Sequence, residues 1–509
     1  MQEQDVIIGL DIGTTSTKAV AFDSQGQVVA AHSEGYPLVQ PRPNRAEQDP
    51  EAILQAVITG MRSTVHDAIE QGKRIIGVGF SSAMHSVLAL DQHKRPLTRL
   101  ITWADNRSAN QVNRLKHGKD GHALYRRTGT PLHPMSVLPK LMWLREQEPE
   151  TFAQAATFVS IKEYILYRLF QEEVVDFSIA SGTGLFSLSS LEWDEEALAQ
   201  AGIRREQLGQ PVPTTHVLRG MDPDLAHSMG LSADTPWVIG AGDGVLANLG
   251  TGAISPGETA VTVGTSGALR QVVNQPVTDM HGRTFCYALT ERHWVIGGPA
   301  NNGGILLRWL RRELGSQESE NGTDPYAPLI EMAARVPAGA EGVVCLPYLT
   351  GERAPHWNDK ARGAWFGLSL HHGKSHMIRA MLEGMVMNLY AIYTVLEELT
   401  GPSGRVLVSG GMARYPLALQ MMADVFEQNV LLPEVEEASA MGAAALALVA
   451  LGYWEDIQEV KRWIAIRQQI QPAAEHVRVY RKLYSSFQRL YEKTESEMEA
   501  LAGLQIHNG

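Results

Sequence analysis

Residues 7–23 read IIGLDIGTTSTKAVAFD, two apolar runs joined by Gly-Thr-Thr, and residues 257–270 return to the phrase as GETAVTVGTSGALR. Alternation in the first stretch predicts a strand over Val6–Leu10 and another over Thr17–Phe22, with SQGQVVA turning into a third. A turn made of Gly and Thr exposes successive backbone N–H groups and hydroxyls with no bulky side chain above them, which suits phosphate oxygens. Most such turns only close hairpins, so either loop alone says little. Two of them, one per half of the chain, can hold a polyphosphate from both sides. Thr14 and Thr15 stand in the first turn, and Gly264 and Thr265 in the second. Asp11 stands where a phosphate-bound Mg²⁺, a hard cation, would take a carboxylate oxygen. Lys18 is either a further phosphate contact or a solvated surface lysine.

Around these loops the pattern is α/β. Asp49-Pro50-Glu51 opens a helix running to about Glu70, RIIGVGFSSA is a strand, and helical periodicity covers Leu141–Arg145 and Ile161–Leu169. WVIGAGD is a buried strand. In the second half HWVIGGPANNGGILLRWL and RVLVSGGMARYPLALQMMADVF each read strand, glycine turn, helix, and a long helix begins near a Ser375 cap. At 509 residues the chain exceeds one hydrophobic core. The turn cluster GTGAISPG between Gly250 and Gly257 therefore divides it into residues 1–252 and 253–509.

Composition narrows the function classes. The chain is 44% hydrophobic and 20% charged, so it carries no disorder signature. A formal net charge of −12 argues against nucleic acid as a partner, and the basic residues look scattered, with YRKLYSSFQRLYEK mixing signs like a solvated helix. Cys286 and Cys345 lack CxxC spacing, which fits a reducing compartment better than a disulfide framework or a zinc site. No signal peptide is visible. The longest apolar stretch, ASAMGAAALALVALGYW, falls short of the ~20 residues of a membrane span and reads as a closely packed buried helix. The expectation is a cytoplasmic protein that binds no membrane.

GLDIGTTSTKAV, GAGDG, VTVGTSG, GERAPHWNDKARGAWFGL, SGGMARYPLALQMMADV and ASAMGAAALA, in this order from about residue 6 to 450, together resemble the FGGY family of carbohydrate kinases. That resemblance implies two domains of the actin-like, ribonuclease-H-type fold with ATP between them, Mg²⁺ with the ATP, and a homodimer. FSSAMHSV, ITWADNRS, RRTGTPLHPM and EWDEEALA are most similar to the gluconate-phosphorylating branch. The reaction implied is ATP-dependent conversion of D-gluconate to 6-phospho-D-gluconate.

Phosphoryl transfer to an alcohol needs an in-line hydroxyl, a base and stabilisation of the migrating group. Asp243 in VIGAGDG sits at the end of an apolar strand between small residues; as a residue type it equally suits an N-cap for the helix that follows. The resemblance makes it the general base. It also places Gly410, Gly411 and Arg414 of SGGMARYP at the adenosine, and Asn302 and Gly303 of GGPANNGG around the nucleotide. His85, Trp103, Asp105, Asn106 and Arg107 fall on the sugar side. Arg107 offers the planar fork that a sugar-acid carboxylate prefers. His371, His372 and His376 invite a metal reading, against which stand the fit of His376 to the start of the long helix and the expectation that no carboxylate or Cys completes the site. AMHS and ADNR depart from the pattern of xylulose kinases. A xylulose or ribulose kinase remains the alternative substrate reading, and an actin-like ATP-driven conformational protein the alternative of another class.

Overall fold

The computed structural model describes residues 1–314 and 324–506, and its contacts divide the chain into two units. The first comprises Met1–Ser255, Val272–Ile296 and Val435–Ala465; the second comprises Pro256–Gln271, Gly297–Glu434 and Ile466–Gly509. The sequence reading gave everything after residue 252 to one domain. Two later segments instead return to the first unit, because their apolar side chains pack there.

In the first unit a six-stranded sheet runs, edge to edge, Val217–Leu218, Trp237–Gly242, Arg74–Ser82, Asp5–Ile12, Ser16–Phe22 and Val28–Gly35. The strands Asp5–Ile12, Arg74–Ser82 and Trp237–Gly242 are parallel, while Asp5–Ile12, Ser16–Phe22 and Val28–Gly35 form an antiparallel meander. Period-two alternation splits the strand side chains between two faces. Ile8, Leu10, Ala19 and Ala21 share a core with Ile53, Val57, Met61 and Val65 of the helix Pro50–Glu70, which Asp49 caps by accepting from the Glu51 amide. Ile7, Val20, Phe22 and Val238 point the other way, to Ala440, Ala444, Ala447 and Leu448 of the helix Ala438–Ala450.

That second helix lies almost on the backbone of the sheet. A Cβ on Gly9 would stand 1.9 Å from the Ala440 carbonyl oxygen, and one on Gly79 2.1 Å from that of Ala443. Glycine in the strands and alanine in the helix are thus one packing device, and this contact returns a distant segment to the first unit. Gly9→Ala is expected to lose about 3 kcal/mol through overpacking, read by urea denaturation. A loss below about 1 kcal/mol would mean that the helix can shift away freely.

The second unit repeats the local plan. Glu258–Val263 pairs antiparallel with Gly267–Val273 and parallel with Arg405–Ser409, which is parallel to Val430–Pro433. Ile466–Ile470 closes that side antiparallel. The long helix spans Lys374–Thr400 with Gly373 at its N-cap, so Ser375 lies inside it; the His376 ring, through Nδ1, accepts the Gly373 N–H that would otherwise be an orphan. Both cysteines are buried and unbridged. Among the described residues no helix is long and apolar enough to cross a membrane.

Candidate active site

Strand ends of the first unit bring two carboxylates together. Asp11 lies one residue before the end of its strand, in register with Lys18 on one side and Ser81 on the other, and Ser81 Oγ donates to Asp11 Oδ1 at 2.6 Å. Burial, followed by the negative charge of Asp243, raises the Asp11 carboxyl to about 7. Lys18 turns to Glu437, with Nζ 2.8 and 2.9 Å from its two carboxylate oxygens. It is therefore an ion-paired lysine rather than a free one.

Asp243 opens the helix Asp243–Gly250, but Gly242 occupies the N-cap and makes no side-chain cap. The Asp243 carboxylate accepts from the Gly244 amide at 2.7 Å. The strand delivering it is held from below: Ser178 Oγ accepts from the Gly242 amide at 3.1 Å, and buried Lys162 donates to Asp176 at 2.7 Å and to the Ala241 carbonyl at 3.2 Å. At Gly240, with φ 67°, a Cβ would lie 1.7 Å from the Phe80 carbonyl oxygen, so no other residue fits there.

On the sugar side the expected residues separate into two groups. His85 has φ 66°, an uncommon conformation for a residue with a Cβ. Its Nδ1 donates to the Gly182 carbonyl at 2.7 Å, and its Nε2 lies 3.4 Å from the Tyr287 hydroxyl. Trp103 Nε1 donates to Thr14 Oγ1 at 2.8 Å, tying the expected sugar wall to the first loop. Asp105 and Arg107 form a buried pair instead. Arg107 Nε and Nη2 donate to Asp105 at 2.8 and 2.7 Å, Nη2 also donates to Glu47 at 2.5 Å, and the guanidinium lies over the Trp143 ring at 5.0 Å. Asp105 also takes the Ala46 amide at 2.7 Å. Nε and Nη2 of the fork expected to receive a substrate carboxylate are thus engaged by Asp105 and by Glu47. Asn106 is exposed, with its side chain 3.4 Å from the Ala104 carbonyl.

The second unit carries the other loop. Gly264 and Thr265 are exposed, and their carbonyls accept from the amides of Gly304 and Ile305 at 2.7 and 3.0 Å. Gly303 lies beneath: a Cβ on it would reach 2.6 Å from the Ser266 carbonyl carbon. Asn302, expected at the nucleotide, is 1% exposed, and its amide group bonds Gly351 O and Glu352 Oε2 at 2.7 and 3.0 Å while accepting from Thr350. It holds the turn rather than presenting itself to a ligand. Gly410 has φ 89° and no room for a Cβ beside Val263 O; Gly411 next to it is exposed, and the exposed Arg414 donates to the Gly411 carbonyl at 2.9 Å.

The histidine cluster does have a carboxylate. Glu341 sits with His371 and His372, their candidate ligand atoms within 4.8 Å of one another. Contrary to the sequence expectation, that carboxylate comes from a distant loop. The backbone already uses one ring nitrogen of the group, however: Nδ1 of His372 accepts from the Ser369 amide at 2.9 Å.

Residues 6–250 match the N-terminal domain of the FGGY family of carbohydrate kinases, and residues 259–451 match its C-terminal domain. The chain belongs to that family. It is 48% identical to a gluconokinase from Bacillus subtilis (strain 168) over 505 residues, 98% of each chain. Among solved structures, a gluconate kinase from Lactobacillus acidophilus superposes with a TM-score of 0.91 at 35% identity, covering 96% of this chain and 98% of the other. A ligand-bound xylulose kinase from the same organism gives 0.93, also at 35% identity, covering 98% and 100%. The fold is the two-domain α/β fold of these carbohydrate kinases, with ATP as co-substrate.

Several residues that shape this FGGY kinase's site were invisible as motifs. Lys140, fully buried in the run Val137–Leu144 whose other residues are all apolar, donates to three carbonyls, those of His85, Thr102 and Met135, each at 2.7 Å. A lysine inside VLPKLMWL was the signal: a charge at a core position needs a reason. Glu352, in GERAP, is 1% exposed and gathers Asn301, Asn302, Arg353 and Asn388; burial raises its carboxyl. Glu437 precedes the Ala-rich helix and carried no signal at all.

Proposed function

We propose that the protein transfers the γ-phosphoryl of ATP to D-gluconate, giving 6-phospho-D-gluconate, with Asp243 as general base on the terminal hydroxyl. The observation that carries the substrate is the 48% identity to a gluconokinase over 98% of the chain. The observation that supports the base is a carboxylate delivered at a strand end, beside a second carboxylate, with its backbone braced by Ser178 and Lys162. Asp243 takes the hydroxyl proton as the oxygen attacks, and the hydroxyl is oriented by groups such as His85 Nε2. Thr14, Thr15, Gly264 and Thr265 are assigned to the phosphates, and Gly410, Gly411 and Arg414 to the adenosine.

Asp11 is the residue to hold Mg²⁺. Its carboxyl faces a like charge and is raised to about 7, an arrangement that a divalent ion would relieve. When bound, the ion supplies neutralisation of the charge on the transferring phosphate. A substrate carboxylate on Arg107 would meet Nη1, since Nε and Nη2 of that side chain are taken.

ADP release with Mg-ATP against D-gluconate, D-xylulose, L-ribulose, glycerol and no sugar tests the substrate. Turnover selective for gluconate is expected. Turnover selective for a ketopentose would overturn the substrate while leaving the base in place, and brisk sugar-independent hydrolysis would overturn both.

A further inference from the structure

The C-terminal helix Ala474–Ile506 forms one wall of an open cavity of about 690 Å³ within the second unit. The facing wall comes from the loop around Gly339–Gly342 and the strand Ala364–Phe366. Four of the helix residues that line it are cations, Arg478, Lys482, Arg489 and Lys493. Their separations of four, eleven and fifteen residues bring them onto one stripe of about 60°. Val479, Leu483 and Leu490 lie on the adjoining arc and, with Val344 and Phe366, give the cavity an apolar floor.

Among the described residues none of the four cations is paired with a carboxylate. Arg478 donates only to the Ala474 carbonyl and Arg489 to Ser486 Oγ, whereas Arg481, on another face of the same helix, is paired with Glu427. One acid lines the cavity, Glu341, and its Oε2 lies 3.5 Å from His376 Nε2 and 3.7 Å from His371 Nε2. Four cations against one carboxylate is a strong local excess in a chain of net charge −12. Like charges spaced four apart on a helix repel, so the stripe weakens the helix it sits on unless an anion bridges it. Read along the chain, these residues looked scattered; the helix gathers them.

We propose that this cavity binds a small phosphate-bearing polyanion, at a site that shares no residue with those assigned to ATP and gluconate. The volume falls within the roughly 300–1,000 Å³ of small-molecule sites. Arg forks and Lys ammonium groups on one face are the donors that phosphate oxygens take in charge-assisted hydrogen bonds. A phosphorylated sugar and an inorganic polyphosphate present the same chemistry.

The test is isothermal titration of the full chain, with its nucleotide site saturated by Mg-ADP, using inorganic tripolyphosphate in one arm and a hexose bisphosphate in another. One equivalent should bind, more weakly as salt rises. Binding should fall about tenfold or more in each of the double variants Arg478→Gln/Lys482→Gln and Arg489→Gln/Lys493→Gln. Mg-ADP affinity should stay at its wild-type value, and the melting temperature without ligand should not fall, since each double variant removes a like-charge pair from the helix. The tighter of the two probes assigns the source, and either order supports the site. Absence of heat in the wild type overturns the proposal, as does binding that both double variants retain. A dimer in sedimentation that the same substitutions dissolve would also overturn it, since the groove would then be an interface between copies.

Discussion

Asp243→Asn is expected to lower turnover by about 10²–10⁴-fold while leaving Mg-ATP and gluconate binding within a few fold of wild type. Asparagine keeps the side-chain oxygen that accepts the Gly244 amide at 2.7 Å, and the start of the helix does not depend on the charge because Gly242 is the N-cap. The braces from Ser178 and Lys162 reach the backbone of residues 242 and 241, so they survive too. What goes is the acceptor for the hydroxyl proton. Removing this charge also removes a repulsion on Asp11, whose carboxyl it helps to raise, so that carboxyl should fall back towards its ordinary range. Steady-state kinetics with calorimetric binding of each substrate reads both halves. A variant that keeps more than about a tenth of the wild-type kcat would exclude Asp243 as the base.

The elements that the sequence announced are those whose local pattern and final packing agree. The hairpin around Gly13, the capped helix from Pro50 and the strand Trp237–Gly242 each depend on period, cap and turn chemistry that neighbouring residues carry. The place of Asp243 after a strand end and of both Gly-Thr turns between paired strands follows from the same local signals. What the reading did not contain are the long-range partners of these side chains. Arg107 looks like an open fork until Glu47, sixty residues earlier, and Asp105 close on it. Asn302 looks like a ligand until Gly351 and Glu352 take its amide. Glu341 reaches the histidines from thirty residues upstream, and Glu437 meets Lys18 from the far end of the chain. No window of sequence contains such pairs. The Ala438–Ala450 helix likewise packs on strands of the first unit that lie far earlier in the chain, a contact that no local pattern announces.

Lys140 carries the second large effect. Its ammonium has three hydrogens and three carbonyl acceptors, on His85, Thr102 and Met135, so one side chain sets the positions of the AMHS turn, the residue before Trp103 and the loop into its own helix. Lys140→Met keeps the length and strands three buried carbonyls. A net loss of about 3 kcal/mol is expected, at about 1–3 kcal/mol for each orphaned group less what is regained by removing a buried charge. Gluconate KM should rise about tenfold or more with a smaller change in kcat, because the lysine positions the pocket and does not touch the reacting atoms. The pH dependence separates this role from simple packing. Burial lowers the Lys140 ammonium to about 7, with Asp105 holding it up and Arg107 pushing it down. The unfolded chain therefore binds this proton more tightly than the folded one between about pH 7 and 10, and wild-type stability gains from this group as pH rises through that window. Methionine has no such proton, so the stability gap between wild type and variant should widen from pH 6 to pH 9 in urea denaturation. A gap that stays constant with pH would mean that Lys140 titrates alike in both states, and an unchanged KM would mean that its three carbonyls do not shape the sugar pocket.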